Sequence, residues 1–182
     1  MGHFDFRALV NCPLQTVFAV YTDTDAWYRC TSVREVKWVG RPWEQGSRMR
    51  VTSQTMISQT MDQVLLHFEP ERRLTYLSHF FGITLETRLS FRAIPGGKTQ
   101  IQVRGEFIGV ASRSFGFAFG PAIEGGSRDF IENLNRECER VASVGAQQRV
   151  PTELKGRTAA NPIRNSLEGP SIFRRGGRFL RP

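Results

Sequence analysis

Across residues 114–141 apolar side chains return at steps of three, four and seven: Phe115, Phe119, Ile123, Phe130, Leu134, Cys138 and Val141. That spacing puts them on one face of a helix. The other face carries Arg128, Asp129, Glu132, Arg136, Glu139 and Arg140, which suit water. An apolar stripe of this length has to be buried, and the chain upstream offers alternating, strand-like segments to bury it against. A helix laid across a curved antiparallel sheet does not always fill the space beneath it. The pattern therefore predicts a domain with room for a small apolar molecule. Gly120-Pro121 and Gly125-Gly126 interrupt the stripe, and interior glycine and proline weaken a helix, so a bend or break is expected there. It would either follow the curve of a sheet or act as a hinge.

The upstream segments read as follows. His3–Val10 alternates, with Phe4, Phe6, Ala8 and Val10 on one side. Pro13 opens a short helix whose apolar face is Val17, Phe18 and Tyr21. Asp23 and Asp25 cap a second helical turn over residues 26–28 and are not read as a catalytic carboxylate pair. Strands are expected at 33–39, 47–55, 61–68, 73–81, 84–94 and 99–108. Pro95-Gly96-Gly97-Lys98 forms the last hairpin turn. Short connections between strands mean antiparallel pairing, because parallel neighbours need long crossovers. The fold class is α+β: a seven-stranded curved antiparallel sheet, two short helices and a long C-terminal helix over a cavity.

The net charge of +8 over 182 residues divides unevenly. Residues 145–182 hold eight Arg and Lys against Glu153 and Glu168, and they are rich in Pro, Gly and Arg. The domain at 1–144 is close to neutral, so no nucleic-acid footprint is expected on it. The basic tail at 145–182 is expected to be extended or flexible. Its Ile172, Phe173, Phe179 and Leu180 interleave with arginines, which suits an anionic membrane surface or a partner chain. No apolar run reaches the length of a membrane span, and no leader peptide is read at the N-terminus, so the expected compartment is cytoplasmic. Cys12, Cys30 and Cys138 make no C-x-x-C pair, and His3, His67 and His79 have no metal-ligand spacing; neither metal nor cofactor is expected.

The order of elements and several local motifs resemble the START/SRPBCC superfamily of helix-grip proteins, which includes polyketide cyclase/dehydrase-like members. The matching pieces are Pro13-Leu14-Gln15-Thr16-Val17-Phe18, Asp25-Ala26-Trp27, Gly40 followed by Gly46-Ser47-Arg48, and the run from Phe68 to Leu74. The hairpin at 96–101 and the helix end at 133–139 complete them. The resemblance spans roughly residues 3–143 and implies a cavity between sheet and final helix. Its expected lining is Trp38, Met49, Val51, Tyr76, Leu89 and Val103 from the sheet, with Phe115, Phe119, Ile123 and Phe130 from the helix.

Chemistry in such a cavity needs polar groups that orient a ligand and move protons. Arg50, His67, Tyr76, His79, Arg88 and Arg104 are the candidates. Arg88 and Arg104 share faces with Glu86 and Glu106 and are read as solvated. Tyr76 and His79 are the catalytic candidates, but they fall on opposite faces of one strand, so only one points inward unless a bulge intervenes. Ser114 and Ser127 lack a base and a glycine elbow. Three readings stay open: binding or transport of a small hydrophobic ligand (a lipid, quinone or polyketide), a polyketide cyclase/aromatase-type enzyme using the same cavity, and an adaptor whose tail contacts membrane or RNA. A second copy of the chain is also held among the partners.

Overall fold

A computed structural model describes residues 2–54, 58–109 and 112–147. The chain runs β1 (His3–Val10), α1 (Leu14–Thr22), α2 (Thr24–Cys30), β2 (Val33–Val39), β3 (Arg48–Gln54), β4 (Ser58–Glu69), β5 (Arg73–Phe80), β6 (Ile83–Ile94), β7 (Lys98–Ile108) and α3 (Ser112–Gln147). All seven strands join one antiparallel sheet in the order β1-β7-β6-β5-β4-β3-β2. Every pairing but one joins strands adjacent in sequence, and β1 closes against β7 at the far edge. The expected helix-grip architecture is thus the one observed. Residues 148–182, which hold most of the expected tail, lie outside the described residues, and α3 runs to Gln147, beyond the expected domain end at 144.

Alternation fixes the two faces of the sheet. Phe6, Val10, Leu74, Leu89, Ile101 and Val103 point inward and are buried, while Arg7, Arg73, Arg88 and Arg104 point out. The pattern breaks at two register shifts, one in β2 between Val33 and Glu35 and one in β4 between Leu65 and His67. Such a shift adds a residue to one strand and flips everything after it. In β4 it puts Phe68 on the inner face and His67 on the outer.

The two short helices bridge β1 to β2; α2 brings the Trp27 indole, and the loop after β2 brings that of Trp43. Asp23 caps α2 by accepting from the Asp25 backbone N–H at 3.0 Å. Trp27 donates its ring N–H to the Tyr21 carbonyl at 2.8 Å, and Trp43 donates to the Thr22 carbonyl at 2.7 Å. These bonds satisfy carbonyls at the end of α1 that the helix itself leaves unpaired. They also pin both indoles against the Tyr21 ring.

α3 docks through its C-terminal half. Ile131, Leu134 and Cys138 are buried, and three polar side chains between and beside them reach the rest of the fold. Asn133 donates to the Cys30 carbonyl, Asn135 accepts from the Asn11 backbone N–H, and Glu137 accepts from Arg29 at 2.6 Å. Arg140 also donates twice to Glu137, at 2.7 Å each. Hydrogen bonds from Arg140 and then Arg29 outweigh the burial of the carboxyl and hold Glu137 down at about 2.

Of the bend or break expected in α3, the break does not occur: the helix is continuous through Gly120-Pro121 and Gly125-Gly126. Proline deletes the bond to the residue four back. Here that is the carbonyl of Phe117, a residue 89% exposed, so water can take the bond. Gly116 and Gly120 serve close packing: a Cβ on Gly116 would stand 2.5 Å from Gly2 Cα, and one on Gly120 would touch Phe107. The stripe is also rotated from its expected line. Gly120 and Ile131 are buried, whereas Phe119 and Val141 are 49% and 39% exposed.

Two tests follow from this packing. A Cβ at Gly105 would meet the buried Phe4 ring at 2.2 Å. Gly105→Ala is expected to cost about 1–3 kcal/mol in urea unfolding, with the Phe4→Leu/Gly105→Ala double variant recovering part of it. Glu137→Gln is expected to cost roughly 2 kcal/mol at neutral pH, since bonds to a charged group are lost. The Glu137 carboxyl is depressed below its ordinary value of 4.5. Its contribution is therefore full above that value and fades as pH falls toward about 2. The gap between parent and variant should close over the same interval; a gap constant down to the lower limit would contradict this assignment.

Candidate functional site

The inner face of the sheet is mostly apolar, with a group of polar side chains at its centre. There three adjacent strands each place polar side chains inward: Gln63 from β4, Tyr76 and Ser78 from β5, and Thr87 from β6. The register sets them side by side, Gln63 opposite Ser78 and Tyr76 opposite Thr87. Gln63 Nε2 donates to Ser78 Oγ at 3.0 Å, and Gln63 Oε1 is buried without a partner. The Tyr21 hydroxyl from α1 comes close enough to Tyr76 for the two phenols to affect each other. Burial, then the neighbouring Tyr76, pushes the Tyr21 phenol well up. Burial also raises Tyr76, while hydrogen bonding to Tyr21 and Thr87 partly offsets it. Both phenols are neutral at physiological pH and can donate a hydrogen bond, but neither can serve as a ready base.

Aromatic rings flank this centre on two sides. Toward α1 and α2 stand Tyr21, Trp27, Trp38, Trp43 and Phe130, with Trp38 and Trp43 rings 5.0 Å apart and Phe130 packed on Tyr21 at 5.8 Å. Toward the start of α3, Phe115 meets Phe80 at 6.0 Å, Phe107 at 5.7 Å and Phe119 at 4.3 Å. Between the two groups Met61, Tyr76, Phe80, Phe115 and Ile123 pack against the core but are only partly buried. α3 makes its main contacts with β1, β7, α1 and α2, so it crosses the sheet to one side of β3–β5.

The structure sorts the sequence candidates. Trp38, Tyr76, Phe115, Ile123 and Phe130 pack against the core and are partly buried. Met49, Val51, Leu89 and Val103 face inward but are 2–4% exposed, packed into the continuous core. Phe119 stacks on Phe115 at the rim. Tyr76 points inward and His79 outward, where His79 Nδ1 bonds to Thr84 Oγ1 at 3.0 Å. Arg50 pairs with Asp62 at 2.8 Å in the open. His67, Arg88 and Arg104 do converge, but on the outer face, around an open depression of about 400 Å³ that also takes in Arg73, Thr75 and Gln102. Arg88 pairs there with Glu86, and Arg104 with Asp5. The three thiols are buried, and burial raises Cys30 to about 11 and Cys138 to about 12, which leaves no ready nucleophile.

Four residues of the polar centre were not singled out from sequence: Tyr21, Gln63, Ser78 and Thr87. Three of them carry a usable signal, a polar residue at an inward position of an alternating strand. Tyr21 carries none, because it reads as the apolar face of α1. Among the described residues no helix is long and apolar enough to cross a membrane.

Known proteins give the same fold. The Zhui aromatase/cyclase from Streptomyces sp. R1128 superposes with a TM-score of 0.63 at 15% identity, covering 76% of this chain and 93% of its own. Protein MLL2253 from Mesorhizobium loti gives 0.62 at 16% identity over 76% and 97%. Hypothetical protein jhp0584 from Helicobacter pylori gives 0.65 at 10% identity over 75% and 87%. At these identities the likeness concerns fold alone. No curated protein matches the sequence significantly. A family profile described as polyketide cyclase / dehydrase and lipid transport matches residues 1–139. The chain belongs to that family.

Proposed function

We propose that this protein binds a small hydrophobic molecule in the cleft between the inner face of the sheet and α3. The observation that carries the reading is the unequal packing of one interior. Ile131, Leu134 and Cys138 are at most 2% exposed, while Met61, Tyr76, Phe80, Phe115 and Ile123 on the same inner surface are not closed over. Interiors are normally filled to crystal-like density. A stretch of aromatic and thioether surface left reachable, with a few convergent hydroxyls, is the usual build of a small-molecule site. Trp38 and Phe130 supply ring surface at one side and Phe115 at the other; Met49, Val51, Leu89 and Val103 form the wall behind them.

A second reading is a cyclase-type enzyme in the same cleft, and the Tyr21–Tyr76–Thr87 group favours it. A neutral phenol with a raised pKa can donate to a carbonyl oxygen and polarise it, and it can return a proton to a developing alkoxide. His79 is assigned no part, since it lies on the other face. The basic tail at 145–182 remains assigned to an anionic membrane surface or a partner protein, and the domain boundary at 144 is part of the same proposal.

Two experiments separate these readings. Purified full-length protein is expected to carry one apolar molecule per chain in native mass spectrometry, identifiable after organic extraction. Ile123→Trp should lower ligand affinity at least tenfold, the effect of losing about 1.4 kcal/mol, while the melting temperature holds or rises. Unchanged affinity in that variant would remove the cleft from consideration. With the extracted ligand in hand, Tyr76→Phe should leave affinity within about threefold for a carrier. For a cyclase it should abolish most of the turnover.

A further inference from the structure

The inner face of the cleft is uncharged. Among the described residues, no inward position of the seven strands carries Asp, Glu, Lys, Arg or His; the polar residues at those positions are Ser, Thr, Tyr and Gln, and Gln63 is the buried amide among them. The arginines of β3, β5, β6 and β7 all stand on the outer face, most of them paired with carboxylates. A carboxylate or phosphate brought against these strands would lose its water and find no cation on them, which costs far more than burying an uncharged group; Arg128 of α3, over the Phe6 ring at 4.2 Å, is already paired with Glu124.

The amide is the unusual member. Gln63 is 7% exposed, its Nε2 is committed to Ser78 Oγ, and its Oε1 has no partner. A buried acceptor left unpaired is costly, and such groups in a folded protein call for an explanation. In register Gln63 lies between Met49 of β3 and Ser78 of β5, with Met61 two residues before it on the same face. Methionine side chains are unbranched and readily displaced. The amide is therefore fixed by Ser78, with the partly buried Met61 beside it on the same face.

We propose that the ligand of this cleft is an uncharged ring compound bearing a hydrogen-bond donor, and that Gln63, held by Ser78, is the residue that selects it. This rests on the reading of the cleft as an apolar-ligand site. The donor, a hydroxyl on the ring, gives Gln63 Oε1 its missing bond; the ring lies against the aromatic surface of Phe115 and Tyr76. Fatty acids and phospholipids are selected against by the missing cation, and ring ethers by the orphan acceptor, which a ligand without a donor leaves unpaired. A site built around a donor rejects the analogue lacking it more strongly than an apolar pocket rejects a change of size.

The test uses three probes with one ring system: β-naphthol, β-methoxynaphthalene and β-naphthoate, titrated by calorimetry into the full-length chain freed of co-purified ligand. β-Naphthol should bind about tenfold more tightly than the methyl ether, the worth of one buried hydrogen bond. β-Naphthoate should bind more weakly still. In Gln63→Leu the advantage of naphthol over its ether should vanish, through loss of naphthol affinity with ether affinity unchanged. Ser78→Ala, which frees the amide to turn, should shrink the same ratio, and melting curves check that both variants fold. If the ether or the naphthoate binds as well as the naphthol, or if the ratio survives Gln63→Leu, the inference is overturned while the cleft reading stands. If none of the three binds, the cleft reading itself fails and takes this inference with it.

Discussion

The docking of the C-terminal half of α3 is the constraint on which the rest of this structure depends. Leu134 and Cys138 are completely buried, and Asn133, Asn135 and Glu137 reach the end of α2, the loop after β1 and Arg29. The apolar residues supply most of the driving force, since burying a large aliphatic side chain is worth about 1.5–3 kcal/mol. The polar ones supply register: each bonds to a partner at one position only, so the helix cannot slide or roll without orphaning buried groups. One half of a long helix is thereby fixed, and the other half is free to be shaped by something else.

That division explains the site. The first half of α3 approaches the sheet edge at Gly116, where only glycine leaves room for Gly2 and Phe107, and Gly120 follows one turn on. The close approach holds the helix over β1 and β7 and away from β3–β5. The strands in between, being the middle of a curved sheet, keep their inward side chains partly uncovered. Aromatic rings from α1, α2 and the start of α3 close the two sides, and the polar centre of Gln63, Tyr76, Ser78 and Thr87 sits on the floor. The family's description spans cyclase, dehydrase and lipid-transport members, and the fold by itself does not choose between binding and catalysis.

Electrostatics divides the two faces of the same sheet. Outward positions carry arginines with carboxylate partners, inward positions carry none. The outer face can hold open depressions lined by Arg73, Arg88 and Arg104 without cost, because the charges keep their water. The inner face cannot. Phenols raised by burial stay neutral there, and thiols raised by burial stay protonated. The chemistry available inside is hydrogen bonding from neutral groups, which limits the ligands and the reactions the cleft can support.

The sequence by itself determined the elements, their order and the antiparallel sheet. Those are local consequences: alternation over Thr84 to Ile94, a turn at Pro95-Gly96-Gly97, an apolar repeat from Phe115 onward. It also showed Tyr76 and His79 to be on opposite faces, because a strand has period two. Only the tertiary structure decided which of them faces inward, since that is set by which side α3 covers. Tertiary structure likewise decided that His67 points out, through an extra residue in β4 that no local pattern announces. It rotated the helix stripe so that Ile131 is buried and Phe119 is not, with Gly116 and Gly120 turned toward Phe107 of β7. It brought Tyr21 of a short helix beside Tyr76 of a central strand. The polar centre belongs to neither residue's neighbourhood in sequence; it exists only because β4, β5, β6 and α1 meet at one place.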